Sequence, residues 1–159
     1  MIVCGGTGLG EGDIALSALA QAGRLELQRI AIRPGETACL GVAGTAPVIL
    51  LPGLPVACYA AYELLAGPAV RRMGGRSAAW PYGRAELPLR RKLVSEIGVA
   101  DFQRVRVVDG GIEPIGAGTA FGLASAVRAD GFVVVPPGSE GYPAGTQVEV
   151  RLYEPPVTA

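Results

Sequence analysis

Apolar and polar positions alternate in two textures along the chain, and the change falls near residue 75. In the first part, short apolar runs end in glycine and are interleaved with helix-like stretches. Met1 to Cys4 predicts a buried strand that hands the chain to a loop, Gly5-Gly6-Thr7-Gly8-Leu9-Gly10-Glu11-Gly12. Asp13 follows as the expected N-cap of a helix over Ile14 to Ala22, closed by Gly23. Leu25 to Ile32, apolar at 25, 27, 30 and 32, predicts the next strand, so the segment reads as a βαβ unit with parallel strands. Arg33-Pro34-Gly35 reads as a turn, and Ala38 to Val42 with Val48 to Leu51 as a hairpin. Leu51-Pro52-Gly53-Leu54-Pro55 leads into a helix from Pro55 to Met73 that Gly67-Pro68 should kink and Gly74-Gly75 should end.

After Arg76 the pattern becomes that of half-buried strands. Arg84 to Ser95, Phe102 to Val108, Ile112 to Ile115, Phe132 to Val135 and Gln147 to Tyr153 predict strands, with period-two alternation at Val105, Val107, Val148 and Val150. Phe121 to Ala129 predicts a helix. The expected organisation is an α/β domain over residues 1–75 followed by a mostly β domain over residues 76–159.

Composition narrows the function. Half of the residues are apolar, enough for a real core, and the 24 glycines and 13 prolines follow no fibrous repeat. Fourteen basic residues balance fourteen acidic ones, so no nucleic-acid or anionic-membrane partner is expected. Histidine is absent, which removes histidine metal sites and histidine-based triads. Cys4, Cys39 and Cys58 form no C-x-x-C and read as small buried thiols in a reducing cytosol. No apolar stretch reaches membrane-spanning length and no signal-peptide pattern opens the chain, so a cytoplasmic location without a membrane span is the expectation.

The glycine loop between a strand and a helix can bring backbone N–H groups to an anion. It lacks the Lys-Ser/Thr of a P-loop and the spacing of a dinucleotide fingerprint, and a tight structural turn is the alternative. Asp13 reads either as a helix cap or as a carboxylate held where α/β domains bind ligands. Arg29 and Arg33, four apart on the expected strand, would share a face and present two guanidinium forks to an anion; a solvated strand end is the alternative.

These segments carry a resemblance. Gly5-Gly6-Thr7-Gly8 through Gly12-Asp13 resembles the GG-(T/V)-(G/S)-x-G-x-x-D segment of the MoeA and gephyrin E-domain family. Arg33-Pro34-Gly35 resembles its K-P-G-K-P, and Leu51-Pro52-Gly53-Leu54-Pro55-Val56-Ala57 its L-P-G-N-P-V-S. A helix ending in Gly74-Gly75 follows, as in the family. Asp101-Phe102-Gln103-Arg104-Val105 resembles E-F-x-R-(V/A), and Gly116-Ala117-Gly118-Thr119 through Ala129-Asp130-Gly131 resembles G-x-(Q/G)-(G/S)-S followed by A-(N/D)-G. The matches stand in register along the chain and correspond to the C-terminal half of a MoeA-type molybdopterin molybdenumtransferase. The resemblance implies a partial MogA-like three-layer α/β domain followed by a small β-barrel-like domain. It implies insertion of molybdenum from molybdate into adenylylated molybdopterin, with a divalent cation such as Mg2+ and release of AMP.

Carried over position by position, Gly5, Gly6, Thr7, Gly8, Gly10, Arg29, Arg33, Pro34, Gly35, Pro52, Gly53 and Arg104 are the expected molybdopterin and oxyanion contacts, and Asp13 the catalytic and metal-holding carboxylate. The departures are chemical. Arg29 and Arg33 stand for family lysines, Glu36 and Thr37 for the second Lys-Pro, Leu54 for asparagine, Ala57 for serine, and Ala120 (or Thr119) for the β-domain serine. A carboxylate at Glu36 opposes molybdate, so the pterin loop is better preserved than the oxyanion site. The family's earlier strands and N-terminal domains have no counterpart here. The face around Ile2, Ile30, Ile32 and Ile49 is therefore expected to need cover from a homo-oligomer or an N-terminal partner chain. Two functional readings follow: a component of a molybdenum-inserting enzyme, or a non-catalytic paralogue or fragment that binds molybdopterin or a partner.

Overall fold

A computed structural model describes residues 1–115 and 122–154. The chain forms two compact units, Met1–Trp80 and Pro81–Ala159.

The first unit is built on a four-stranded sheet. Its strands are β1 (Ile2–Cys4), β2 (Arg24–Gln28), β4 (Cys39–Ala43) and β5 (Ala46–Leu51), in the order β1-β5-β4-β2. β3 (Ile32–Arg33) is a two-residue strand in the connection from β2 to β4. β1 runs parallel to β5, and β5-β4 and β4-β2 are antiparallel. β2 thus runs in the direction of β1, as a βαβ unit requires, with the β4-β5 hairpin inserted between its strands. The hairpin turns at Gly44, whose φ of 59° suits glycine.

Helix α1 (Ala15–Ala22) covers one face of this sheet. Leu19 packs with Cys39, Val48 and Leu50, joined by Val3, Ala15, Leu16, Leu25 and Ala43. On the other face the registers place Ile2, Ile49, Leu40 and Leu27 opposite one another across all four strands. The ends of this row are open: Ile2 is 39% and Leu27 56% exposed. β1 is therefore an exposed edge strand, not the buried strand its apolar run suggests; Ile30 is half-buried and Ile32 buried.

The expected helix from Pro55 to Met73 forms as three pieces. They are α2 (Pro55–Ala61), a single π-helical turn (Tyr62–Ala66) and α3 (Gly67–Met73). Pro68 has no N–H to give to the preceding turn, and the Gly67 N–H reaches back five residues to the Tyr62 carbonyl. The wide turn absorbs the proline without ending the helix. Gly74 and Gly75 then terminate it, with N–H groups on the Val70 and Arg72 carbonyls.

Three local expectations are corrected. Asp13 does not cap α1: the cap position is Ile14, no side chain caps it, and the Ala15 N–H is taken by the Gly6 carbonyl at 3.0 Å. The strand expected over Leu25 to Ile32 stops at Gln28, because a bulge shifts its register beside Leu25 and Arg29 takes φ 59°. Arg29 and Arg33 therefore do not share a strand face. Of the cysteines, Cys39 is buried, Cys58 half-buried and Cys4 exposed.

In the second unit β6 (Gly83–Pro88), β8 (Ala100–Val108), β9 (Gly111–Pro114), β10 (Gly131–Val135) and β12 (Gln147–Leu152) pair antiparallel in the order β9-β8-β10-β12-β6. Val105, Val133, Val135, Val148, Val150 and Leu152 face one core with Leu89, Leu93 and Ile112. Each fully buried side chain of this size contributes about 1.5–3 kcal/mol. Phe102 stacks on Phe132 at 4.4 Å, and Tyr82 meets Phe132 edge-on at 5.7 Å.

The strand expected over Arg84 to Ser95 is split. Its pairing ends at Pro88, Leu89 bridges Ile112, and β7 (Leu93–Val94) pairs instead with the short β11 (Gly141–Tyr142). The Leu89 bridge links the two ends of the strand order at a single point, and no continuous ladder closes it among the described strands. Helix α4 (Leu123–Val127) is shorter than the Phe121 to Ala129 expected. The motif Gly116 to Thr119, with Ala120 and Phe121, lies outside the described residues.

Candidate functional site

The glycine loop is braced by its own backbone. Gly5 N–H bonds the Leu51 carbonyl at 2.9 Å, which fixes the loop start to the end of β5. Asp13 N–H bonds the Gly10 carbonyl, and Gly10 N–H returns to Asp13 Oδ2, each at 2.9 Å. The Gly6 carbonyl is engaged by α1, and Gly6, Thr7 and Gly8 line the cleft beside the loop. Two of these places favour glycine. Gly6 has φ 69°, and a Cβ on Gly8 would lie 2.6 Å from Asp13 Oδ2.

A cleft of about 310 Å³ opens beside this loop. Three segments line it: Gly6, Thr7, Gly8 and Asp13; Gly35, Glu36 and Thr37; and Pro52, Gly53, Leu54 and Ala57. The volume lies in the range of small-molecule sites. Backbones approach closely where the segments meet, and a Cβ on Gly53 would lie 3.3 Å from Gly5 Cα. Thr7, buried, shares a hydrogen bond with Thr37 between hydroxyls 3.1 Å apart, tying the first segment to the second. Gly35 N–H donates to Glu36 Oε2 at 2.9 Å, so the Glu36 carboxylate is held at the cleft wall.

The cleft thus gathers Gly6, Thr7, Gly8, Asp13, Gly35, Pro52 and Gly53 of the residues expected from the sequence. Gly5 anchors its loop and Gly10 holds Asp13, while Arg33 and Pro34 precede Gly35 without lining the wall. Arg29 stands exposed on its turn, outside the lining. Thr37 and Ala57, read from the sequence as departures, prove to be wall residues. The lining carries two carboxylates, Asp13 and Glu36, and no arginine or lysine among the described residues. Among those residues no group of three or more His, Cys, Asp or Glu forms a metal cluster.

In the second unit Arg104 lies on β8, buried to 4% exposure. Burial lowers the affinity of its guanidinium for the proton, and the charges of Tyr153 and Asp101 act against that loss. Its Nε has no hydrogen-bond partner among the described residues. Asp101, also buried, accepts from Ser95 Oγ at 2.9 Å and from Gln103 Nε2 at 2.8 Å.

Comparison with known proteins gives this architecture a class. Residues 1–72 match the family model described as a probable molybdopterin binding domain, and residues 86–153 match that of the MoeA C-terminal region, domain IV. The chain is therefore a molybdopterin-binding-type α/β domain joined to a MoeA-type β domain. It belongs to the MoeA family and corresponds to the C-terminal part of its members. A putative molybdopterin biosynthesis protein of Methanocaldococcus jannaschii is 32% identical over 152 residues, which are 96% of this chain and 36% of that relative. The molybdopterin molybdenumtransferase of Staphylococcus epidermidis is 29% identical over 168 residues, covering 97% of this chain and 38% of its own length. The crystal structure of the molybdopterin biosynthesis MoeA protein from Pyrococcus horikosii superposes with a TM-score of 0.77 at 30% identity, over 97% of this chain and 37% of that one. The chain spans little more than a third of the length of these relatives. None of the described helices is long and apolar enough to cross a membrane.

Proposed function

We propose that the chain binds molybdopterin, in its adenylylated form, in the cleft of the first unit, and that it takes part in molybdenum insertion during molybdenum cofactor biosynthesis in the cytoplasm. The observation that carries this reading is the convergence of Gly6, Thr7, Gly8, Asp13, Gly35, Pro52 and Gly53 on one cavity of small-molecule size within the segment that matches a molybdopterin binding domain. Backbone N–H groups of the glycine loop receive the phosphate, with Gly5 and Gly10 holding the loop in shape. Arg29, Arg33 and Pro34, in the same unit but outside the lining, are taken as its further anion contacts.

A lining with two carboxylates and no cation suits a ligand that brings a divalent metal with its phosphates. Asp13 uses Oδ2 on the Gly10 N–H, which leaves Oδ1 for Mg2+. Such an ion, filled out by water and ligand phosphate, would neutralise charge on the transferring group. The second unit is read with it as the barrel-like domain of these proteins, the domains dividing at residues 75 and 76. The open row Ile2, Ile49, Leu40 and Leu27 supports a homo-oligomer or an N-terminal partner chain, whose burial of that row would contribute about 25 cal/mol per Å².

A second reading has its own observation. Glu36 is fixed at the cleft wall, and Leu54 and Ala57 bring no polar group to it. That wall repels molybdate while still accepting a pterin, as a non-catalytic binding paralogue or fragment would require. Titration of the chain with molybdopterin, alone and with Mg2+, tests the shared claim. Saturable binding lost in Asp13→Ala supports it, and no binding to the chain, alone or with a complementary N-terminal polypeptide, overturns it. Molybdate-dependent AMP release by that pair supports insertion, and tight pterin binding without a molybdate response supports the second reading.

A further inference from the structure

The second unit holds a cavity that plays no part in the function above. It measures about 370 Å³, and its described walls are Arg91, Arg106, Pro114, Ile115 and Arg128. The arginines come from separate places: Arg91 follows β6, Arg106 lies on β8 and Arg128 caps α4. Three like charges brought to one hollow repel one another. Among the described residues the carboxylate paired with them is Glu113 on β9, 3.5 Å from Arg91 and 3.2 Å from Arg106. Arg128 has no ion pair or side-chain hydrogen bond among the described residues. The hollow therefore keeps an excess of positive charge that its own walls do not cancel. Guanidinium groups stay charged at every ordinary pH and present planar forks of donors that match phosphate oxygens. Pro114 and Ile115 add an apolar wall beside them.

We propose that this cavity binds a small organic phosphate, its phosphate group held by Arg91, Arg106 and Arg128 and its carbon skeleton resting on Pro114 and Ile115. The scale argues for a small ligand over nucleic acid. The volume is that of a small-molecule site, and the formal charge of the whole chain is zero, so no wide basic field surrounds the hollow.

Calorimetric titration of the full chain at fixed ionic strength tests this, with inorganic phosphate and phenyl phosphate as probes. Saturable binding is expected, tighter for phenyl phosphate because only it reaches the apolar wall. Arg128→Gln should weaken both probes about tenfold, the loss of a hydrogen bond to a charged group. Glu113→Gln should tighten both, since it removes the opposing charge. Arg84→Gln, outside the cavity lining and paired with Glu149 at 2.6 Å, should change nothing. Asp13→Ala, in the other unit's cleft, should also leave binding intact, which separates this site from the molybdopterin reading. The proposal fails if Arg128→Gln unfolds at the same temperature as the parent yet binds both probes equally well. It fails too if binding does not saturate, if sulfate displaces both probes as effectively as phosphate does, or if a single-stranded oligonucleotide binds more tightly at the same salt.

Discussion

Replacing Gly35 by alanine tests how the cleft wall is built. Gly35 has φ 127°, a region closed to residues with a Cβ except under strain, so the backbone alone costs about 1–2 kcal/mol. The added methyl would also meet Ile32 Cδ1 at 3.1 Å and Ala57 O and Ala61 Cβ at 3.2 Å. The Ile32 tip can rotate away, but the other two atoms belong to α2, which is packed and hydrogen-bonded. Overpacking of this kind costs about 1–3 kcal/mol. Gly44→Ala is the control. Its φ is 59° and a Cβ there meets nothing within 4 Å, so only the backbone contribution applies. Urea unfolding followed by fluorescence of Trp80, the one tryptophan, reports on the first unit, where its Nε1 donates to the Glu63 carbonyl at 3.1 Å. Gly35→Ala should lower the midpoint by the equivalent of at least about 1 kcal/mol more than Gly44→Ala, with an unchanged slope. It should also weaken molybdopterin binding, because the Gly35–Thr37 turn carries Thr37 to Thr7. Equal losses from the two variants would refute the claim that α2 closes tightly over residue 35.

Asp101→Ala leaves the buried Ser95 hydroxyl without its acceptor and takes one of two acceptors from the half-buried Gln103, so it should cost about 2 kcal/mol, whereas Ser95→Ala should cost about 1 kcal/mol; thermal unfolding of both variants checks the ranking. Burial, then the hydrogen bond and charge of Cys4, push the Cys58 thiol from 9.0 up to about 11. The folded chain thus holds that proton more tightly than the unfolded chain. The resulting stability is complete below about pH 9 and is lost as pH rises through about 11, so Cys58→Ser should flatten the alkaline decline in urea midpoint. Leu27→Lys places a charge at the end of the open apolar row, and sedimentation should show the proposed assembly dissociating; an unchanged mass would remove this face from any interface.

Much of the cleft was readable in the chain because its parts are local. A glycine at 5, 6, 8, 35 or 53 announces a backbone position that a side chain would block, and each sits where the cleft segments turn or touch. Pro68 likewise announces its break in the helix, although only the backbone shows that the break takes the form of a wide turn. The misreadings are nonlocal. Asp13 has the sequence context of a cap, but the Gly6 carbonyl reaches the first helical N–H and frees the carboxylate to hold Gly10. Leu25 to Ile32 has the composition of one strand, but its partner β4 pairs no further than Gln28. Arg84 to Ser95 is divided by Ile112, distant in sequence, which claims Leu89 and the Arg90 N–H. Leu40 and Leu27 were not marked as part of the exposed face because only strand register puts them in line with Ile2 and Ile49.

The wide turn at Tyr62–Ala66 also works as a phase shifter. In an ideal helix each residue advances the azimuth by about 100°. One surplus residue therefore rotates everything downstream relative to everything upstream. Upstream, Val56, Ala57, Ala60 and Ala61 point into the core. Downstream, the rotated phase aims Arg71 at the Ala78 carbonyl, which it reaches from Nη2 at 3.0 Å and from Nε at 3.3 Å. Deleting one residue from the turn would leave the upstream face seated and swing Arg71 about 100° off its target. The stretch from Ser77 to Trp80 would lose that clamp while the cleft behind α2 stayed closed. The helix is thus a crank whose throw is set by a single residue.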